Sequence, residues 1–144
     1  MKTKFVNPTK IKRAWHVIDA KGKVLGKVAS EAAALLRGKY NTSFDSHHDT
    51  GDFVIVVNSE QLELTGKKWD DKVYYHHTGY VGGIKGLVAK KLHQKHPTAI
   101  IEKAVQGMLP KGPLGRQMLS KLFVYKAAEH PHAAQKPAPR ALPN

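Results

Sequence analysis

The chain has no cysteine among its 144 residues. Disulfides and thiolate chemistry are therefore excluded, and the composition suits a reducing compartment. Long apolar runs are also missing, because the longest, Phe53 to Val57 and Ala32 to Leu36, are five residues each. A membrane-spanning helix needs about 20 apolar residues, and the basic start lacks the apolar segment of a secretory signal. These absences predict a cytoplasmic protein without a membrane anchor.

Acidic residues are scarce, with 11 Asp and Glu against 24 Lys and Arg and a net charge of +13. Residues 1–13 contain no acid, and residues 103–144 contain only Glu129. A positive field of this size attracts polyanions, and nucleic acid is a better candidate than an anionic membrane.

The first half of the chain predicts a strand–helix–strand unit. Trp15 to Ile18 resembles a strand, and apolar residues recur at helical spacing from Leu25 to Leu36 before a stop at Gly38. The run Phe53 to Val57 is continuously apolar, which is typical of a strand buried on both faces of a parallel sheet. The pattern therefore predicts an α/β fold.

The second half predicts two more strands, Val73 to His76 as the third and Leu122 to Tyr125 as the fourth. Helical sequence lies between them: one helix containing Leu87, Val88, Lys91 and Leu92, one opening at Pro97, and a short one at Pro113. We expect one domain with a basic tail (1–13), a core (14–126) and an extended tail (127–144). Residues 1–12 and 128–144 should add affinity rather than stability, with the C-terminal tail ordered only by a partner.

Three patterns of catalytic or cofactor sites are incomplete. Gly22 to Lys27 has three residues between its glycines and no Ser or Thr after Lys27, unlike a Walker loop. The pairs His47-His48 and His76-His77 would place their rings on opposite faces of a strand, so we predict no metal site. No serine lies in a hydrolase-like elbow. We therefore predict no enzyme activity, cofactor or small-molecule substrate.

Basic residues are instead mixed with glycine, proline and aromatics in three loops, Thr65–Trp69, Thr78–Lys85 and Gly107–Arg116. Glycine lets backbone N–H groups approach phosphates, Lys and Arg neutralise them, and aromatic rings stack on unpaired bases. This combination favours RNA binding. In the third loop, Met108 and Leu109 should anchor the segment to the core and leave Lys111 and Arg116 projecting. Two alternatives remain, a nucleotide-dependent α/β enzyme and a general DNA-binding protein.

The order of these motifs resembles the bacterial form of the universal family of large ribosomal subunit protein thirteen. The resemblance covers about residues 13–136. The matching stretches are Trp15–Ala20 with Gly22, Leu25-Gly26, Leu36–Lys39, Asp49–Asn58, Leu64–Lys68, Lys72–Tyr75 through Gly83, Ile101–Val105, Gly107–Lys111 to Gly115-Arg116, and Glu129–Gln135. The sequence departs from the family pattern at Tyr40–His48, at Phe123–Ala127 and in the last eight residues.

The resemblance implies a three-layer α/β/α domain around a four-stranded parallel sheet of order 3-2-1-4. It also implies a non-catalytic constituent of the large (50S) subunit that binds 23S-type rRNA, supports early assembly and has ribosomal proteins as neighbours. Together with the basic loops it predicts these rRNA contacts: Lys2, Lys4, Lys10, Lys12, Arg13, Arg37, Lys39, Lys67, Lys68, Tyr75, His76, His77, Tyr80, Gly82, Gly83, Lys85, Lys111, Arg116, Lys121, His130 and His132.

Overall fold

The computed structural model describes residues 6–7 and 10–142. The strands are β1 (Trp15–Asp19), β2 (Phe53–Val57), β3 (Val73–His77), β4 (Ile84–Val88), β5 (Leu122–Val124) and β6 (Ala138–Pro139). The helices are α1 (Leu25–Arg37), α2 (Lys68–Asp71), α3 (Ala89–Lys95), α4 (Pro97–Met108) and α5 (Pro113–Leu119), with short 3-10 turns at Ser59–Gln61 and Ala133–Gln135. Among the described residues, none of the helices has the length and apolar content to cross a membrane.

The predicted strand–helix–strand unit is confirmed. Strands β1 and β2 pair in parallel with Trp15 opposite Phe53, and α1 connects them. Helix α1 buries Leu25, Val28 and the rest of its apolar stripe through Leu36. Gly38 ends the helix with a left-handed φ of 79°, a conformation that glycine adopts without the cost of a Cβ. This unit forms the centre of the hydrophobic core.

The four-stranded parallel sheet has the order β5-β2-β1-β6. The predicted order 3-2-1-4 was wrong about which segments form the outer strands. The third predicted strand, Val73 to His76, is absent from this sheet. Strand β5 takes the place beside β2, with Val54 opposite Leu122. The strand beside β1 comes from the C-terminal tail, with His16 opposite Ala138.

Strand β3 pairs instead with β4 in an antiparallel hairpin, with Val73 opposite Val88 and His77 opposite Ile84. The prediction that Leu87 and Val88 begin a helix was wrong, because they pair with β3 and the helix begins at Ala89. Their apolar side chains fit a half-buried strand as well as a helix, so periodicity over so few residues cannot separate the two. The hairpin forms an arm beside the main sheet.

Helices α4 and α5 place the glycine- and proline-rich stretch predicted to bind RNA. Pro97 opens α4 as expected, and Leu109 is buried after its end, whereas Met108 is exposed and does not anchor the segment. Helix α5 begins at Pro113 and includes Gly115. A Cβ at Gly115 would lie 1.7 Å from the Pro110 carbonyl oxygen. Glycine at this position therefore lets the turn pack against the helix.

The C-terminal tail packs on the domain, contrary to our expectation that only a partner would order it. Besides the β6 pairing, the Arg140 Nε donates to the Glu31 Oε1 at 2.8 Å, and the Tyr40 hydroxyl donates to the Glu31 Oε2 at 2.9 Å. Glu31 is only 4% exposed, and a buried carboxylate requires such partners. The Glu31 carboxylate also raises the pKa of Arg140. Charge and proline content gave no signal of this pairing.

We expect truncation after Lys136 to destabilise the free protein. It removes β6 and leaves the buried Glu31 with Tyr40 alone, and an unsatisfied buried polar group costs about 1–3 kcal/mol. Urea unfolding measures the loss. The control is a chain that ends at Leu142 and so keeps Arg140. Equal unfolding midpoints for the two truncated chains would restore our original expectation that the tail adds affinity only.

Candidate nucleic-acid interface

Two of the three predicted RNA-binding loops, the first and the third, line clefts on the protein surface. One cleft of about 200 Å³ is lined by both predicted cations of the third loop, Lys111 and Arg116, together with Gln106. Both cations are exposed. Among the described residues, no carboxylate lies within ion-pair distance of the Arg116 guanidinium. Glu102, an acidic residue of the neighbouring helix α4, therefore does not pair with Arg116, and the guanidinium is available to an external anion.

A second cleft, of about 380 Å³, brings two of the loops together. Thr65 and Lys68 of the first loop and Gly107 and Met108 of the third line it. Two further lysines, Lys72 and Lys103, line the same cleft. Neither lysine was predicted from the sequence, because neither lies in a glycine-rich loop. Lys72 lies in a strand-like passage and Lys103 in a helix. Their place in the basic surface depends on tertiary packing.

The hairpin arm carries two exposed tyrosines, one on strand β3 and one in the second loop. Tyr75 and Tyr80 are 68% and 79% exposed. His76 lies opposite Lys85 across the two strands, so both side chains share one face of the arm. Gly82 has a left-handed φ of 70°, and a Cβ at Gly83 would lie 2.1 Å from the Thr78 hydroxyl oxygen. The two glycines shape the turn at the tip, and the exposed rings are available for stacking on bases.

Lys121 does not belong to this surface. It is 4% exposed, and its Nζ donates to the Asp49 Oδ1 at 2.5 Å, the Gly51 carbonyl at 2.8 Å and the Leu36 carbonyl at 3.4 Å. Burial lowers the pKa of Lys121, and Asp49 partly offsets this effect. With its three donors engaged inside the domain, the lysine stabilises the fold. The prediction took account of its charge, which does not distinguish a buried lysine from an exposed one.

The Asp49–Asp52 motif also stabilises the fold. A Cβ at Gly51 would lie 1.7 Å from the Leu36 carbonyl oxygen. Glycine is therefore required where the backbone of the motif approaches helix α1. The Asp52 Oδ1 accepts the backbone N–H of Ala14 at 3.0 Å, and its Oδ2 lies 3.3 Å from the His16 Nε2. The motif therefore joins the ends of α1, β1 and α5.

The histidines of the tail differ from the simple exposed contacts that we predicted. His132 is half-buried, its ring lies 4.6 Å from that of Phe123, and its Nε2 is 2.7 Å from the Tyr125 hydroxyl oxygen. His130 is also half-buried, with its ring 6.4 Å from that of His132. Their rings pack over the aromatic end of the sheet, and only part of each is accessible to a ligand.

The other predicted cations differ in their exposure to solvent. Lys10, Lys12, Arg13, Lys39 and Lys67 are exposed, and Arg37 is half-buried with its guanidinium 5.9 Å from the Phe44 ring centre. Arg13 is partly neutralised by Asp49 at 3.5 Å. Lys2 and Lys4 lie outside the described residues.

The sequence matches the family model described as "Ribosomal protein L13" over residues 13–131. That family is a structural, non-enzymatic component of the ribosome, so our prediction that the chain is not an enzyme is confirmed.

The sequence is 57% identical to a "Large ribosomal subunit protein uL13" of Agathobacter rectalis and 58% identical to that of Desulfotalea psychrophila. In both cases the match covers 95% of this chain and 96% of the relative. The protein of the same name from Aeromonas hydrophila is 55% identical over the same shares. The chain belongs to the ribosomal protein L13 family. The predicted family and the predicted place in the cytoplasmic ribosome are thereby confirmed.

Proposed function

We propose that this chain is a structural constituent of the large ribosomal subunit that binds 23S-type rRNA and supports early subunit assembly. The observation that carries the proposal is the exposed basic surface formed by the clefts of the first and third loops and by the hairpin arm that carries the second loop. Exposed lysine and arginine neutralise phosphates, and the glycine-shaped turns hold them at fixed positions. Family membership supports the large subunit as the setting, and neighbouring ribosomal proteins are the further partners that we propose.

All members of the predicted set except Lys121 form the proposed rRNA contacts. Phosphate contacts come from Lys10, Lys12, Arg13, Arg37, Lys39, Lys67, Lys68, Lys85, Lys111 and Arg116, and we add Lys72 and Lys103. The residues that stack on bases are Tyr75, His76, His77 and Tyr80. Gly82 and Gly83 let the backbone approach phosphates closely. His130 and His132 contribute their accessible edges, and Lys2 and Lys4 extend the basic segment. Lys121 is left out because its donors are engaged inside the domain.

We also propose one domain of residues 1–144, with a basic segment (1–13), a core (14–126) and a C-terminal segment (127–144). Contacts of α1 with β2 and of α4 with β5, together with the packing of α1 against α4, support a helical layer on one face of the sheet. In this arrangement the sheet and its helices form a rigid scaffold, which keeps the loops at the spacing that a folded rRNA requires.

Replacement of Arg116 tests the proposed interface. A guanidinium donates two parallel hydrogen bonds to a phosphate, and lysine cannot reproduce this geometry. We expect Arg116→Lys to weaken binding to 23S rRNA although the charge is kept. Arg116→Ala should weaken it further, by about 1–3 kcal/mol. Filter binding at fixed salt measures both effects.

Thermal melting of the free variants provides the control. Arg116 is exposed, so its replacement should leave the melting midpoint almost unchanged. Gln117→Ala, at the next exposed position of α5, is a matched neutral variant and should bind rRNA normally. Unchanged rRNA binding together with a lowered midpoint for Arg116→Ala would assign the residue to the fold and not to the interface.

A further inference from the structure

The segment between α1 and β2 contains three side chains with metal-binding groups that face one another. Asp45, His47 and His48 each offer one ligand atom, and these atoms all lie within 4.8 Å of one another. In the part of the chain that the structure describes, no other group of three His, Asp or Glu side chains meets this distance. The segment also lies within Tyr40–His48, where the sequence departs from its family pattern.

The geometry of the two histidines differs from the one assumed in the sequence analysis. We predicted no metal site because adjacent residues of a strand point to opposite faces. His47 and His48 lie in a bend outside any strand, with their ring centres 4.1 Å apart. Both Nδ1 atoms point to the same carboxylate, at 2.6 Å from the Asp45 Oδ1 for His47 and 3.2 Å from the Oδ2 for His48. The bend therefore places two imidazoles and one carboxylate on one side.

We propose that Asp45, His47 and His48 form a binding site for one divalent transition-metal ion such as Zn²⁺. Imidazole nitrogen and carboxylate oxygen are ligands that Zn²⁺ accepts, with bonds of about 2.0–2.2 Å in a tetrahedral arrangement. Two ligand atoms of such a tetrahedron are about 3.3 Å apart. The His48 Nδ1 lies 3.2 Å from the Asp45 Oδ2, close to this value, and the His47 Nδ1 lies 2.6 Å from the Asp45 Oδ1 and needs to move away by less than about 1 Å.

The surroundings leave a fourth coordination position open to water. His47 and His48 line a cleft of about 540 Å³ together with Arg13 and Asp49. Asp49 is engaged by Arg13 and Lys121, so it does not compete for the ion. Arg13 and Lys121 are the cations that line this cleft, and their interactions with Asp49 reduce their repulsion of a metal. The half-buried state of Asp45 and His48 holds two of the three ligands in place without the ion.

Cobalt titration of the untagged full-length chain, freed of metal with a chelator, tests the site. Because the chain lacks cysteine, a tetrahedral Co²⁺ spectrum can come only from nitrogen and oxygen ligands. We expect one equivalent of Co²⁺ to develop visible absorption, Zn²⁺ to displace it, and either ion to raise the thermal midpoint. Loss of an outer-shell partner typically costs about 10–100-fold in metal affinity. Loss of a direct ligand in His48→Ala or Asp45→Asn should therefore cost about 100-fold or more.

The double variant His76→Ala/His77→Ala is the matched control. It removes the other adjacent histidine pair, whose members lie on strand β3 and point to opposite faces, and it should bind Co²⁺ like the unmodified chain. Thermal melts without metal establish that each variant is folded, and Asp45→Asn preserves the shape of the side chain if His48→Ala unfolds. Absence of a stoichiometric tetrahedral spectrum, or an equal loss of affinity in the control, would overturn the proposal. In either case the three side chains only stabilise the bend through the Asp45 hydrogen bonds.

Discussion

Replacing Lys121 with methionine is expected to lower the free energy of unfolding by about 3–5 kcal/mol. Methionine keeps the approximate volume of the side chain but removes the ammonium from Asp49 and from the carbonyls of Leu36 and Gly51. The two carbonyls then lose this donor, and the Asp49 carboxylate keeps only the Arg13 guanidinium at 3.5 Å and the Gly51 N–H at 3.4 Å. Urea unfolding monitored by the fluorescence of Trp15 and Trp69 measures the change.

Lys126→Met provides the matched control for this prediction. Lys126 follows the same strand β5 but is exposed, so its replacement should change stability by less than about 0.5 kcal/mol. Equal stabilities for the two variants, combined with weaker rRNA binding by Lys121→Met, would show that Lys121 is the RNA contact that the sequence first indicated.

The second large effect concerns salt. If the basic surface forms about six to ten phosphate contacts, the affinity for 23S rRNA should fall by about 10³–10⁵ between 50 and 200 mM salt. The reason is that each neutralised phosphate releases counterions, and this release becomes less favourable as salt rises. Filter binding over a salt series gives the slope of log affinity against log salt.

The same salt series with Arg116→Ala should show a slope that is smaller by about one contact. Duplex DNA of matched length serves as the competitor, and we expect it to bind more weakly than rRNA at every salt concentration. A flat salt response would contradict an electrostatic interface. Equal affinity for duplex DNA and rRNA would instead favour a general nucleic-acid-binding protein.

Features encoded by local sequence were predicted well. The stripe from Leu25 to Leu36, the Gly38 stop and the continuous run Phe53 to Val57 are each sufficient to specify an element, because periodicity and length agree. Their order then predicts the parallel pair at the centre of the sheet. The family was likewise accessible from sequence, since its motifs are spread over most of the chain.

Features that depend on tertiary contacts were not accessible. A run such as Val73 to His76 predicts a strand but not its partner, and β3 pairs with β4 rather than with the main sheet. The tail strand β6 has two residues, one of them proline, which is below the length at which a pattern is detectable. Burial of Lys121 and Glu31 depends on partners that lie 72 and 109 residues away. The Asp45–His48 cluster depends on the geometry of a bend, and the amino-acid composition does not encode this geometry.

The most direct test of the account is the position of this chain among the ribosomal fractions of a cell that produces it. Subunits separated on a sucrose gradient at low magnesium are analysed by mass spectrometry for the untagged chain. The account predicts that the chain sediments with the large subunit, at about one copy per 23S rRNA, and is nearly absent from the small-subunit and soluble fractions. Recovery of the chain mainly as soluble protein, or with the small subunit, would contradict a structural role in the large subunit.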